Sequence, residues 1–285
     1  MFAVLRDLFR YNIEFAIGAS LFGIVVIFAL LSFFAPADPT LIYVAPPDMP
    51  PSWQYWFGTN SRGQDLFWNL SASFRNTLMF GVTVAVISRL ISIVVGLAAG
   101  YLGGWVDRVL MFFNDIFVAL PVFPILVMFY FVMRSDLNSF TLALIMGCLG
   151  WPFDARLIRS VALGLKQREF TRQAVFAGMS PLKIMLEEHL PYVMPIVFAT
   201  ALANMLWSIG LEVTLAVLGF TNINNPTVGT ALYWANSHSA LVVGVWWWIV
   251  IPVVLIVALF IGMFLLAVSM NEYIDPRSRL RRMGV

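Results

Sequence analysis

Cysteine is nearly missing from this 285-residue sequence, where Cys148 stands alone. One thiol makes no internal disulfide and no cysteine metal cage, and its place in an apolar run leaves the redox compartment open. Histidine is almost as scarce. The two, His189 and His238, fall on opposite sides of a membrane in the topology argued below, which excludes a two-histidine zinc site. No Gly-x-x-x-x-Gly-Lys-Ser/Thr loop is present to cradle phosphates, and no Gly-x-Ser-x-Gly elbow to present a nucleophile. The sequence therefore predicts no catalytic, cofactor-binding or metal-binding residue, and a chain that is not an enzyme by itself. Charge is thin as well, at 11% of residues against roughly 25% in a soluble domain. A net charge of +2 gives no sign of a nucleic-acid partner.

What fills the space is apolar. Hydrophobic residues make up 61% of the chain, and they gather in runs long enough to cross a bilayer core of about 30 Å as helix. The runs are Phe15–Phe34, Thr77–Gly100, Val109–Met133, the short Phe140–Phe153, Tyr192–Phe220 and Val242–Met270. Backbone amides in hydrocarbon must be satisfied within the segment, and the runs lack the alternation of barrel strands. The predicted fold is all-α, a polytopic membrane protein with about six transmembrane helices embedded in lipid.

Basic residues set the orientation. With the N-terminus in the cytoplasm, Arg6, Arg10, Arg108, Arg156, Arg159, Lys166, Arg168, Arg172, Lys183, Arg277, Arg279, Arg281 and Arg282 lie inside, and Arg62, Arg75 and Arg134 lie outside. The first run is too long for a cleaved signal and no small-residue cleavage site follows it, so it reads as a retained anchor. The expected organisation is a cytoplasmic segment 1–14, a first span 15–34, an outside loop 35–76, a core 77–271 with an inside loop 156–189, and a basic cytoplasmic tail 272–285.

The outside loop carries Pro36, Pro39, Pro46, Pro47, Pro50 and Pro51 ahead of Trp53-Gln-Tyr-Trp-Phe57, a density that forbids regular helix. It is either a surface loop with aromatics at headgroup level or a gate or docking surface. Pro121 and Pro124 predict a kink in the third run, as a hinge or as packing. Trp246-Trp-Trp248 reads as an interfacial aromatic belt. The inside loop is the most polar part of the chain. Within it, Phe170–Ala177 has helix-favouring composition, Gly178 interrupts, and Ser180-Pro-Leu-Lys183 reads as an N-cap with proline at the first helical position. Two short helices at an angle suit docking into a partner. Arg168 and Arg172 pair with a partner's acids or anchor to anionic lipid.

Two ionisable residues interrupt apolar runs, each at a cost of about 2.5–3.5 kcal/mol on insertion scales, so each is expected to face protein or water. Arg89 is read as snorkelling or paired. Glu212 either lines a pathway or makes an interhelical hydrogen bond.

Phe57-Gly-Thr-Asn-Ser-Arg-Gly-Gln-Asp65, Gly100-Tyr-Leu-Gly-Gly-Trp-Val-Asp107, Trp151-Pro-Phe-Asp-Ala-Arg-Leu-Ile-Arg159 and Asp275-Pro-Arg277 occur in this order, together with Glu169-Phe-Thr-Arg-Gln-Ala-Val-Phe-Ala-Gly178 and Leu190-Pro191. In this the chain resembles the permease subunits of ABC importers, in the dipeptide, oligopeptide and nickel group, C type, over nearly its whole length. The resemblance implies a type I importer permease fold in a prokaryotic plasma membrane, with both termini cytoplasmic. It implies that Glu169, Arg172, Ala174, Gly178, Ser180, Leu190 and Pro191 form the loop that engages an ATPase. Ala174 and Gly178 match the family pattern, whereas Arg172 and Gln173 stand where the family usually has Glu and Ala. Glu212 falls where the family has a glutamate, and it is carried with Pro121 and Pro124 as a candidate pathway or interhelical residue. The implied partners are a second permease, two ATP-binding cassette subunits that hold the ATP and magnesium, and an extracytoplasmic solute-binding protein. The implied cargo is di- or oligopeptide, with oligosaccharides or nickel chelates as the alternative.

Two other classes compete. A stand-alone secondary transporter predicts coupling-ion carboxylates and an internal repeat, and the sequence offers one clear carboxylate at membrane depth and no convincing repeat. A structural protein without cargo leaves the basic inside loop without purpose.

Overall fold

A computed structural model describes residues 12–133 and 138–274. Arg6, Arg10, Arg134, Asp275-Pro-Arg277, Arg279, Arg281 and Arg282 lie outside the described residues. Among those described there is no strand, only an isolated bridge between Thr59 and Asp65. Four helices are long and apolar enough to cross a membrane, six if each of two bent pairs counts as one span. The all-α fold with about six spans is thus as the apolar runs predict.

Helix α1 is Ile13–Leu31, about 28 Å of helix at 1.5 Å per residue, opened by Asn12, whose side chain accepts from the Phe15 amide at 3.1 Å. Helix α2, Leu66–Leu102, starts well before Thr77 and at 37 residues is longer than the hydrocarbon is thick. The third run is two helices, α3 (Gly104–Ala119) and α4 (Val122–Met133), bent by 77°. Pro121 sits in the break. Pro124 falls in the first turn of α4, where an amide has no intrahelical acceptor, so it removes no helical hydrogen bond and Pro121 alone marks the kink. The fourth run ends α5 (Ser139–Leu149) at Gly150 and Trp151, then turns 42° into α6 (Pro152–Lys166). A short helix α7 (Glu169–Phe176) follows, then α8 (Pro181–Val217), α9 (Val228–Ser237), the single turn α10 (Ala240–Val243) and α11 (Trp247–Ile274).

The described residues divide into two compact units, one from residues 12–82, 126–133, 138–142 and 206–266, the other from residues 83–125, 143–205 and 267–274. In the first, α1 and α11 touch through glycine. A Cβ added at Gly18 would meet Leu265 Cβ at 2.9 Å, and one at Gly262 would meet the Phe22 amide at 2.8 Å. Lipid gives helices no hydrophobic reason to associate, so close backbone approach at small residues supplies the contact. Phe28 then packs among Phe57, Phe67 and Phe74 with ring centroids 5.3–5.9 Å apart.

The proline-rich segment is a folded cap rather than a loose loop. Gln64 Nε2 donates to the Thr40 carbonyl at 2.9 Å, Asn69 Nδ2 to Pro39 at 3.0 Å, and Thr59 Oγ1 to Pro46 at 2.6 Å. Gly63 turns it at φ 66°, with no room for a Cβ beside the Ala45 carbonyl. This cap overturns the belt reading for two of the three tryptophans. Trp248 is 1% exposed, and buried Trp247 donates its indole N–H to the Thr59 carbonyl at 3.0 Å, leaving Trp246 as the exposed one.

In the second unit, α2 and α6 meet at Gly96 and Gly100, one turn apart. Added Cβ atoms would lie 2.7 Å from Ile158 Cβ and 2.6 Å from Ala162 Cβ. The matching stripe on α6 is Ala155, Ile158 and Ala162, all buried. Gly100→Val is expected to lower stability by about 1–3 kcal/mol through overpacking, read as a lower melting temperature in detergent, whereas Gly164→Ala, with open space around its Cβ, is expected to be neutral or slightly stabilising.

Candidate functional site

The polar segment after the fourth run is mostly helical. Helix α6 carries on past Arg156 to Lys166 because its apolar residues recur every three or four positions, which makes it amphipathic and lets its charged face sit outward. That face is a clasp. Arg159 grips Asp107 of α3 through Nε and Nη2, at 2.5 and 2.6 Å. Arg156 reaches Asn114 at 2.8 Å and Asp115 at 2.5 Å, and Asn114 Nδ2 donates to the Pro152 carbonyl at 2.8 Å. Asp154 pairs with Arg89 of α2. Arg89, only 5% exposed, also donates to Thr200 Oγ1 of α8 at 2.6 Å, so one guanidinium joins α2, α6 and α8. The paired reading of Arg89 is the one observed.

Beyond Lys166 the chain forms an elbow. Glu169 opens α7, an acidic residue in the first turn where the helix dipole favours it. Thr171 and Ala174 form the buried face, and Ala174 clusters with Tyr101 and Ile184. Arg172, Gln173, Val175 and Phe176 point outward, with Phe176 90% exposed. Gly178 takes φ 78° in open space, so the glycine serves the turn itself and no close neighbour. Ser180 caps the next helix, its Oγ accepting from the Lys183 amide at 3.4 Å, with Pro181 at the first position. The first turns of α8 are π-helical from Ile184 to His189, after which Leu190 packs on the cluster of Leu97, Ile158 and Ala162, and Pro191 is exposed. Glu169, Arg172, Ala174, Gly178, Ser180, Leu190 and Pro191 thus belong to one continuous elbow. Arg168 and Arg172 are both exposed and make no ion pair among the described residues.

Glu212 belongs to the other compact unit and has partners of its own. It is 2% exposed, and its Oε1 accepts from Thr227 Oγ1 at 2.7 Å. Thr227 is the N-cap of α9 in a reciprocal capping box with Thr230. The same turn is tied to α2, where Thr77 Oγ1 accepts from the Val228 amide at 3.1 Å and Asn76 Nδ2 donates to the Pro226 carbonyl at 2.8 Å. The carboxylate also lines a cavity of about 10 Å³ with Asn138, Ser139 and Thr221. Its observed partner is therefore a helix cap, an interhelical hydrogen bond between α8 and α9.

Residues 92–280 match the family described as the binding-protein-dependent transport system inner membrane component. The chain belongs to this family. It is 31% identical to the oligopeptide transport system permease protein OppC of Mycobacterium tuberculosis over 83% of this chain and 80% of that one. It is 26% identical to the dipeptide transport system permease protein DppC of Bacillus subtilis over 81% and 72%, and 28% identical to a putative peptide permease protein of Brucella suis over 92% and 88%. As a member of this family it is a multi-pass inner-membrane permease of the ABC-transporter class.

Two of the segments that carried the resemblance meet in this permease: the one ending at Asp107 and the one from Trp151 to Arg159 are the two halves of the clasp. Sequence reading missed that pairing. The available signal was the charge spacing of Asp154, Arg156 and Arg159 on a helix with a buried stripe, which demands acceptors on neighbouring elements.

Breaking a buried ion pair from one side leaves the other charge uncompensated, so Asp154→Asn is expected to cost about 3–5 kcal/mol, and joint replacement of Arg89 and Asp154 by apolar residues of similar volume distinctly less; denaturation in detergent checks the order. For Glu212, a glutamine keeps an acceptor for the Thr227 hydroxyl. Glu212→Gln should hold stability within about 1 kcal/mol and retain uptake, while Glu212→Leu should cost about 1–3 kcal/mol. Uptake lost equally in both variants would mean that the charge, not the cap, is what matters.

Proposed function

We propose that this permease is one of the two membrane subunits of an ATP-driven importer for di- or oligopeptides. It pairs with a second, related permease to enclose the pathway, receives cargo from an extracytoplasmic solute-binding protein, and is driven by two ATPase subunits that bind ATP and magnesium. Its termini and elbow are cytoplasmic. The peptide cargo rests on the names of the relatives, which are permease proteins of oligopeptide and dipeptide transport systems.

The observation that carries the reading is the two-sidedness of the elbow. Its inner face is buried through Thr171, Ala174 and Ile184, so it is held by the permease itself. Its outer face exposes Val175, Phe176, Leu182 and Leu186 beside Arg172 and the Lys183–Glu187 ion pair, an apolar patch with a charged rim that no described residue covers. Apolar anchors inside a charged rim are the make-up of a protein-docking surface. The sequence holds no phosphate-binding loop, so in an ATP-driven importer the energy comes from a separate nucleotide-binding protein, and this surface offers it a foothold.

The test is to co-express the chain with the ATPases, the second permease and the binding protein, and to reconstitute the complex in vesicles. Proline cannot adopt a positive φ, so Gly178→Pro is expected to abolish transport-coupled ATP hydrolysis. Lys183, exposed at the elbow, is expected to react with an impermeant amine reagent only after cells are opened. Unchanged coupling in Gly178→Pro, or labelling of Lys183 in intact cells, would overturn the reading.

A further inference from the structure

The elbow must pass movement from α7 to a membrane helix, and the apolar contacts beneath it are poorly suited to do so alone. Tyr101, Ala174, Ile184, Met179 and Met185 give a non-directional cluster, and two of the five are flexible methionines. A hydrogen bond fixes direction, and one lies at the centre of this contact. His189 is fully buried and sets its Nε2 3.1 Å from Thr171 Oγ1. The Thr171 hydroxyl is also 2.8 Å from the Leu165 carbonyl at the end of α6. A carbonyl only accepts, so the one hydroxyl proton goes to Leu165, and the Thr171 oxygen is left to accept from His189. Nε2 is therefore the ring nitrogen that carries hydrogen. Through a single hydroxyl, α6, α7 and α8 are joined. The imidazole is held edge-on to the Tyr101 ring of α2 at 5.2 Å and to Phe170 of α7 at 6.4 Å, and Phe170 itself stacks on Tyr192 of α8 at 5.2 Å.

The π segment accounts for how His189 gets there. In a regular α-helix, residues five apart lie about 140° from one another around the axis. Bonding from i to i+5 widens the turn and brings such residues much closer to one face. Ile184 and His189 are five apart, bracket the π segment, and are both fully buried on the face toward α7. Regular helix from Pro181 onward would turn one of them away.

We propose that His189 is a positioning residue of the elbow, joining α7 to the membrane helix α8 through Thr171 in a register that the π segment sets. The inference rests on the elbow being the ATPase-docking element, and it goes further by naming the bond through which α7 moves α8. Leu190 and Pro191, which follow directly, ride on the same register.

The experiment uses the complete importer in vesicles, with cargo taken up per ATP hydrolysed as the readout and complex yield on size exclusion as the check on assembly. His189→Leu removes the donor, and Thr171→Val removes the acceptor at nearly constant shape. Each is expected to lower cargo per ATP about five-fold or more, the equivalent of one lost hydrogen bond. His189→Gln, which places an amide N–H near the former Nε2, and Thr171→Ser are expected to restore the ratio. The double variant His189→Leu with Thr171→Val is expected to be no worse than the poorer single one, as for two ends of one bond. An assembled complex whose ratio is unchanged in both single variants overturns the inference alone. So does His189→Gln failing as badly as His189→Leu, because shape rather than the bond would then be what counts. Should His189→Leu not assemble, Thr171→Val decides. If the unaltered chain neither copurifies with the ATPases nor stimulates their hydrolysis, the reading of the elbow falls and takes this inference with it.

Discussion

One guanidinium group in an apolar run fixes how the second compact unit is built. Arg89 cannot be left unpaired at membrane depth, and its answer is Asp154 on α6 with Thr200 on α8. That pair holds the start of α6 against α2, and the Asp107–Arg159 fork holds α6 against α3 further along. Alongside these two points the glycines of α2 let the stripe of Ala155, Ile158 and Ala162 come close to its backbone. Charge supplies direction and small residues supply closeness, and neither is sufficient where lipid gives apolar faces no reason to prefer each other. Helix α6 is thereby fixed along its length, and the elbow, which begins where α6 ends, inherits a rigid base.

The first unit meets the same demand by a different route. Among the described residues no cation pairs with Glu212; a threonine hydroxyl at a helix cap answers it. The cap closes a loop whose carbonyls and amides would otherwise be stranded near the membrane, and the asparagine and threonine that open the second apolar run, Asn76 and Thr77, complete it. The proline-rich cap follows the same logic. Of its buried amides, Gln64 and Asn69 donate to the Thr40 and Pro39 carbonyls, which no ladder takes up, and Asn60 donates to the Gln64 side-chain oxygen.

The apolar runs were legible because lipid imposes one rule on every span, and length and composition suffice to read it. The elbow was legible for a related reason: Gly178, Ser180 and Pro181 are local signals whose meaning hardly depends on neighbours. What composition could not supply was which distant groups meet. Trp247 and Trp248 read as interfacial because tryptophan suits an interface, and only the folded cap above them explains their burial. Pro124 read as sharing in the one kink because its position within a helix is set by where Pro121 ends the previous one. Helix α6 read as loop because polarity outweighed its period-three-and-four stripe, although that stripe was in the sequence throughout.

The proposed docking role of the elbow gives a reason for keeping an irregular helix there. A straight α-helix from Pro181 would be the more stable local choice, since i to i+5 bonding sacrifices packing along the axis. The distortion is kept because Ile184 and His189 must both face α7, one as an apolar peg and the other as a hydrogen-bond donor. A peg alone permits sliding, and a donor alone gives little buried area. Together they resist both sliding and rotation of α7 on α8, which is what the proposed transmission of a stroke would require. The exposed side of α7 bears no such constraint from the permease, so Arg172 and Gln173 are free to differ from the family's usual pair without disturbing the fold beneath them.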